Sequence, residues 1–264
     1  MAAKPVDFHQ DKARTYVFLK QFEDVKEYPL SDSLCLVVCI VIAYLYFVLK
    51  LGPQFMKDRE PYKLKYTILT YNAFQVMLSA YFVYLSYEIM TLTGFLPKTC
   101  SDRDLNVRNK MSYCVYVYWL GKITELLDTI FFTLRKKYSQ VTFLHVYHHA
   151  SVVFFTYLLF LYAQGSTVNL FIFCNSFVHV VMYLYYGLSG LGPGVAKYLT
   201  WKKHITNLQR VQFVVVFIYQ LVNFLYTTCE HSVLGFLYFE ISLVLFFYLF
   251  TNFYKSSYET KAKK

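Results

Sequence analysis

The sequence predicts an all-α membrane protein with seven transmembrane helices in a single domain, residues 1–264. Three observations lead to this fold class. Hydrophobic residues make up 57% of the chain and aromatic residues 21%, more than soluble domains usually carry. Seven segments are apolar enough to cross a bilayer, which takes about 20 residues. No stretch shows the alternating pattern of a β-strand that would compete with helix.

The seven predicted spans are joined by short polar loops. They cover residues 34–49, 66–87, 111–134, 140–164, 167–188, 211–229 and 233–254. The third span carries Lys122, Glu125 and Asp128, and the seventh carries Glu240, but both are still interpreted as spans. The polar breaks between them include residues 52–65 and the Gly-rich turn 190–194.

Basic residues predict the orientation of the chain. Fifteen lie in segments that share one side of the membrane with the C-terminus, and nine lie on the other side. The positive-inside rule therefore predicts a cytosolic tail, 255–264, and a lumenal N-terminal segment, 1–28. Because 1–28 is polar and charge-balanced, the first span is expected to be a signal anchor. The net charge of +10 fits either anionic lipid or a polyanionic substrate, and both alternatives stay open.

Six cysteines are divided by location rather than forming a disulfide framework. Four lie in apolar spans and are expected to be small core residues: Cys35, Cys39, Cys114 and Cys174. Cys100 and Cys229 fall in the predicted lumenal loops. In an oxidising lumen they are expected to pair.

Three histidines mark the most informative region. His145, His148 and His149 stand at spacing i, i+3, i+4, which places them on one helix face. From residue 138 to 196 the chain has no Asp, Glu, Lys or Arg. Polar groups at such a position are costly and usually functional. The cluster therefore suggests a reaction centre at the membrane end of a helix.

Other polar residues recur at helical spacing in the spans around this cluster. The third span has Lys122, Glu125, Asp128 and Thr129; the fifth has Asn175, His179, Met182, Tyr183, Tyr185 and Tyr186; the sixth begins with Thr206, Gln209 and Gln212. These residues could line one cavity if the spans are neighbours. The structural alternatives are a buried salt-bridge network in the third span and interhelical hydrogen bonds or packing elsewhere.

These four motifs, in this order and spacing, make the chain resemble the very-long-chain fatty acid elongase family from about residue 27 to 255. The C-terminal lysines depart from the family's usual dilysine retrieval signal, because Lys261, Lys263 and Lys264 stand at shifted positions. The resemblance implies a very-long-chain 3-oxoacyl-CoA synthase of the endoplasmic reticulum. Such an enzyme condenses an acyl-CoA with malonyl-CoA to a 3-oxoacyl-CoA two carbons longer, with loss of CO2 and CoA.

The resemblance also implies partners and a tunnel. Helices two to seven are expected to enclose the acyl chain. No cofactor, metal or nucleic acid is expected, and acyl-CoA and malonyl-CoA are substrates. A ketoacyl reductase, a dehydratase and an enoyl reductase must complete the cycle, because the chain has no nicotinamide-binding motif. A homo-oligomer stays open.

Roles for the site residues follow from that reaction. His148 is the expected nucleophile, through an acyl-imidazole, and His145 or Asp128 would orient its ring. In the competing version no covalent intermediate forms, and His148 or His179 acts as a base. The stabilising donors would be His149, His179 and Asn175. The expected CoA and acyl contacts are Lys122, Glu125, Arg135, Lys136, Lys137, Tyr183, Tyr186, Lys202, Lys203, Gln209 and Gln212.

Two other functions compete with that of an elongase. Membrane di-iron desaturases and hydroxylases also use His-x-x-His-His boxes, but they generally need eight or more histidines on the cytosolic side. This chain has seven, of which His9 and His231 fall on the opposite side. A seven-helix receptor or transporter would require neither the three clustered histidines nor the charged set beside them.

Overall fold

Every element that the computed structural model describes is helical, in residues 28–31, 33–97, 104–162, 168–226 and 233–259. The α-helices are α1 (Leu34–Tyr46), α2 (Gly52–Met56), α3 (Lys65–Thr93), α4 (Leu105–Glu125), α5 (Leu127–Leu134), α6 (Phe143–Tyr162), α7 (Asn169–Gly190), α8 (Pro193–Ala196), α9 (Lys202–Tyr226) and α10 (Val233–Tyr254). A π-helical segment, Phe47–Leu51, joins α1 to α2, and a second, Lys255–Glu259, extends α10. The prediction of an all-α fold is confirmed.

Six helical segments in the described residues are long and apolar enough to cross a membrane. They are Leu34–Met56, Lys65–Thr93, Phe143–Leu161, Asn169–Gly190, Lys202–Tyr226 and Val233–Glu259. The remaining predicted span, 111–134, is divided between α4, where charged residues and several tyrosines lower the hydrophobicity, and α5, which has only eight residues. Its position between two spanning helices is consistent with seven crossings.

Six of the helices after α2 form a closed ring. Helix α3 packs against α7, α7 against α9, α9 against α10, α10 against α6, α6 against α4, and α4 back against α3. Helix α1 packs against α6 from outside. The ring comprises the second to seventh predicted spans, so the grouping predicted from sequence is confirmed. That an acyl chain occupies its interior stays a prediction.

Helix boundaries differ from the predictions at several places. The first span does not end at residue 49, because the helix continues to Met56 across Pro53. Proline lacks a backbone N–H, and the wider π turn just before it absorbs the irregularity. A Cβ at Gly52 would lie 2.7 Å from Thr133 Cγ2, so glycine allows α5 to approach closely. The sixth span begins at Lys202 rather than 211, and the last helix continues beyond residue 254 to Glu259.

Three loops meet at one end of the ring, which we call the basic end: residues 57–64, 135–142 and 191–201. Three hydrogen bonds connect them to one another or to adjoining helix ends: Tyr62 N–H to the Leu134 carbonyl (3.1 Å), Lys136 Nζ to the Lys57 carbonyl (3.1 Å) and Lys65 Nζ to the Leu191 carbonyl (3.3 Å). The common location predicted for these basic loops is therefore found. Their cytosolic orientation stays a prediction. Cys100, Cys229 and the C-terminal lysines 261, 263 and 264 lie outside the described residues.

Gly121 permits the close contact between α3 and α4. A Cβ there would lie 2.8 Å from Cε2 and 2.9 Å from Cζ of the buried Phe82 ring. We expect Gly121→Ala to lower stability by about 1–3 kcal/mol, the usual cost of overpacking. Gly187→Ala is the matched control, because its Cβ would meet only Asn72 Cβ at 3.6 Å. Thermal unfolding in detergent compares them, and equal midpoints would contradict the packing argument.

Candidate functional site

The site begins at an interruption between α4 and α5, where Leu126 separates the two helices. Lys122 Nζ donates to Glu125 Oε1 at 2.7 Å, and both side chains are buried. The ion pair predicted at spacing i, i+3 is therefore confirmed. Burial removes both charges from water, so their remaining hydrogen bonds decide whether the arrangement is stable.

Asn175 of α7 completes the surroundings of the lysine. Its Oδ1 accepts from Lys122 Nζ at 2.7 Å and from the Tyr118 hydroxyl at 2.6 Å. The ammonium also lies 4.8 Å from the centre of the Tyr118 ring. Because both donors point at Oδ1, the Nδ2 end of the amide is left to donate elsewhere. Asn175 thus has free N–H donors at the end of its amide group opposite Oδ1.

His179 lies one turn after Asn175 and approaches the same carboxylate. Its Nδ1 is 3.1 Å from Glu125 Oε1, although the angle at the ring nitrogen falls outside the range of a hydrogen bond. Glu125 is therefore shared between a lysine of α4 and a histidine of α7. Such a neighbour influences which ring nitrogen carries the proton.

Asp128, three residues after Glu125, binds a different partner. Its Oδ2 accepts from the Tyr183 hydroxyl at 2.7 Å, and the adjacent Thr129 Oγ1 lies 2.8 Å from the Tyr44 hydroxyl of α1. Asp128 therefore binds a partner on another helix, α7. Among the described contacts, Asp128 makes no hydrogen bond to His148, and its orienting role stays a prediction.

The histidine cluster occupies the first turns of α6. Thr142 Oγ1 accepts from the His145 backbone N–H at 3.2 Å and caps the helix start, so the helix begins at Phe143 rather than 140. The His145 ring lies 4.4 Å from His149 and 5.2 Å from Phe132, measured between centroids. His145 therefore packs on His149, and no described hydrogen bond connects it to His148.

His148 differs from its neighbours because it borders an interior cavity. His149 is buried, with 7% of its surface exposed. The cavity is about 30 Å³, roughly the space for one water, and lies among α6, α7, α9 and α10. Its lining residues are His148, Val152, Phe155, Phe171, Asn175, Gln212, Phe213, Phe239, Ser242, Leu243 and Phe246. The wall of this cavity is thus mainly apolar, with His148, Asn175 and Gln212 as its main polar groups.

The other predicted contacts are distributed around this centre. Gln209 Nε2 lies 3.6 Å from Met182 Sδ, and Tyr183 is fully buried whereas Tyr186 is 38% exposed. The predicted CoA cations lie at the basic end, three at the end of α5 and two at the start of α9: Arg135, Lys136, Lys137, Lys202 and Lys203. The structure brings Lys122, Glu125, Asn175 and His179 into contact but leaves the five cations at the rim.

Several residues of the polar network were not predicted. Gln75 Nε2 donates to the Tyr71 hydroxyl at 3.0 Å and to Thr124 Oγ1 at 2.9 Å, and Tyr71 donates to the Thr124 carbonyl at 3.3 Å. A glutamine inside an apolar span was a usable signal. Tyr118 and Tyr71 gave none, because the chain has 27 tyrosines.

The described contacts give no explanation for the burial of Glu240. It is buried in α10, and neither carboxyl oxygen has a hydrogen-bond partner among the described residues. Within the same part of the chain, no group of three or more His, Cys, Asp or Glu side chains is arranged to hold a metal ion. The prediction of a metal-free site stays a prediction.

Comparison with known proteins gives a consistent result. The family described as "ELO: GNS1/SUR4 family" matches residues 29–264. The chain is 39% identical to very long chain fatty acid elongase 1 of Mus musculus, over 91% of this chain and 87% of that protein. It is 41% identical to elongase 7 of Rattus norvegicus, over 84% and 79%, and 37% identical to elongase 7 of Drosophila melanogaster, over 88% and 71%. The chain therefore belongs to the GNS1/SUR4 (ELO) family of fatty acid elongases.

Proposed function

We propose that this protein is the condensing enzyme of fatty acid elongation, a very-long-chain 3-oxoacyl-CoA synthase. The observation that carries the proposal is the position of His148. It borders the cavity inside the helix ring, beside Asn175 and near the buried Lys122–Glu125–His179 set. The relatives named very long chain fatty acid elongases support the same reaction.

The first half-reaction transfers the acyl group to the enzyme. A neutral nitrogen of His148 attacks the thioester carbonyl, an N–C bond forms, and the C–S bond breaks. CoA leaves as a thiolate and takes up the proton released from the imidazole. Of the three clustered histidines, His148 suits this step because its ring borders the cavity, whereas His149 is buried.

The second half-reaction forms the new carbon–carbon bond. Malonyl-CoA loses CO2, and the electron pair of the broken bond forms an enolate. Its carbon attacks the acyl carbonyl, the C–N bond breaks, and the imidazole leaves after it takes up one proton from water. Positioned donors must stabilise the enolate and the tetrahedral oxyanion. Asn175 Nδ2 is available for this because Lys122 and Tyr118 both bind its oxygen, and His179 and His149 are further donors.

A ternary mechanism uses the same residues without a covalent intermediate. His148 or His179 then acts as a base while both CoA esters are bound. In either version the CoA phosphates would lie at the basic end, where point charges attract polyanions. The basic residues concerned are Arg135, Lys136, Lys137, Lys202 and Lys203.

We place the protein in the endoplasmic reticulum membrane, with a lumenal N-terminus and a cytosolic C-terminus. The concentration of basic residues at one end of the ring supports this orientation. A ketoacyl reductase, a dehydratase and an enoyl reductase would process the product. The pairing of Cys100 with Cys229 belongs to the same proposal, since both would then face the lumen.

Condensation by the purified protein tests the function directly. The protein in detergent is incubated with malonyl-CoA and saturated acyl-CoAs from C16 to C24, and 3-oxoacyl-CoA and CO2 are quantified. We expect equal amounts of both products, with no added metal or reductant. Folded protein that forms no product from any acyl-CoA, and that contains iron near two atoms per chain, would favour the desaturase alternative.

A further inference from the structure

A second cavity lies on the outside of the ring, between α9 and α10. Its volume is about 440 Å³, within the usual range of roughly 300–1,000 Å³ for small-molecule sites. It is lined by Asn207, Arg210, Val211, Val214, Val215 and Phe247. This cleft combines one cation with an otherwise mainly apolar wall.

The cleft is separate from the His148 cavity. Gln212 faces the ring interior, and Arg210 stands two residues earlier, about 200° around the helix. Val211, Val214 and Val215 are 56%, 44% and 42% exposed, as expected for side chains that face lipid. The site described above therefore does not use this surface. Arg210 also occupies a position that the Thr206-x-x-Gln209-x-x-Gln212 motif leaves open.

Neutral neighbours hold the Arg210 guanidinium in place. Nε donates to Thr251 Oγ1 at 3.1 Å, and Nη1 donates to Asn207 Oδ1 at 3.0 Å. Its central carbon lies 5.7 Å from the Phe247 ring and 5.1 Å from the Tyr254 ring. None of the ion pairs among the described residues involves Arg210. A guanidinium has five N–H donors, so donors and a full charge remain for a ligand.

The charged and apolar side chains of the cleft follow one another along α9. Arg210 lies eight residues from the start of α9 at the basic end, a rise of about 12 Å. The valines extend from it towards the opposite end of the membrane. The order of a cation near the interface and apolar surface at greater depth matches an anionic headgroup followed by an acyl chain.

We propose that this cleft binds one phospholipid with a net negative headgroup. The phosphate contacts Arg210, and an acyl chain lies along Val211, Val214 and Val215. The lipid comes from the leaflet at the basic end. Anionic lipids are concentrated in the cytosolic leaflet, which is where the basic residues place this end. Because the cleft lies outside the ring, the proposal does not depend on the condensation reaction.

Lipid retention by the full chain tests the proposal. The protein is reconstituted in nanodiscs of phosphatidylcholine in which about one lipid in five is phosphatidylserine, and bound lipid is counted by native mass spectrometry. We expect one retained phosphatidylserine, and Arg210→Leu should reduce its retention roughly fivefold to tenfold, the effect of one basic residue at an anionic surface. Arg59→Leu is the control, because Arg59 also contacts a ring, Phe55 at 4.0 Å, but lies outside the cleft.

A second variant tests the apolar part of the cleft. Val214→Trp fills the cleft while keeping the charge, and it should reduce retention as strongly as Arg210→Leu. Met77→Trp, at an exposed position of α3 outside the cleft, should have no effect. Thermal midpoints in pure phosphatidylcholine identify misfolded variants. Three results would overturn the proposal: equal retention of phosphatidylcholine, unchanged retention in folded Arg210→Leu or Val214→Trp, or displacement by equimolar oleate.

Discussion

Replacing His148 with alanine is expected to reduce condensation by at least about a thousandfold. In the covalent mechanism the substitution removes the nucleophile, and in the ternary mechanism it removes a candidate base; losses of about 10²–10⁴ or more are typical of such changes. The rate of 3-oxoacyl-CoA formation measures the effect. His204→Ala is the matched control, because His204 is an exposed histidine near the basic end that lies outside the site.

The acyl adduct separates the two mechanisms. Wild-type protein incubated with acyl-CoA alone should gain the mass of one acyl group and release one equivalent of CoA, and the modified peptide should contain His148. His204→Ala should form the same adduct, and His148→Ala should not. An active enzyme that releases no CoA before malonyl-CoA is added would refute the covalent version and leave the ternary one.

Replacing Lys122 with methionine is expected to cause the largest loss of stability. Lys122 is buried, and its removal leaves the Glu125 carboxylate without its ammonium partner and Asn175 Oδ1 without one of two donors. Breaking a buried pair costs about 3–5 kcal/mol. For a chain of this size, that corresponds to a fall in the thermal midpoint of roughly 6–20 °C. Differential scanning fluorimetry in a fixed detergent measures it.

An exposed ion pair provides the comparison. Lys110 pairs with Glu88 between α4 and α3, and both side chains are about a third exposed or more. Lys110→Met should change the midpoint little, because exposed pairs contribute about 0–1 kcal/mol. Lys122→Met combined with Glu125→Gln should recover part of the loss, since no unpaired charge remains. Similar midpoints for the two lysine variants would show that the buried network does not stabilise the fold.

The extent of sequence prediction differs between fold and site. The apolar segments predicted seven spans, and six helical segments in the described residues are long and apolar enough to cross the membrane. The prediction was possible because the cost of placing polar groups in lipid acts on each segment separately. Their ends were less certain. The helix continues past Pro53, and it does so because a π turn and the close approach of Gly52 to Thr133 accommodate the proline. Those contacts involve residues distant in sequence.

Helical periodicity also predicted the Lys122–Glu125 pair, since residues three apart on one helix always lie close together. It could not predict that Asp128 would bind Tyr183. This partner belongs to another helix, so the contact depends on how the helices pack. Tyr71 and Tyr118 could not be predicted for the same reason, because each contributes through a contact between helices.

The sequence by itself determined the class of protein, the order of its spans and the four motifs, because these depend on composition and on spacing along one chain. The family resemblance implied that the second to seventh spans group together, but only the tertiary structure decided the order in which α3, α4, α6, α7, α9 and α10 pack around the ring. It also decided that His148 borders the interior cavity while Arg210 faces lipid. The physical reason is that helix packing sets which face of each helix turns inward, and packing depends on all the neighbouring surfaces at once.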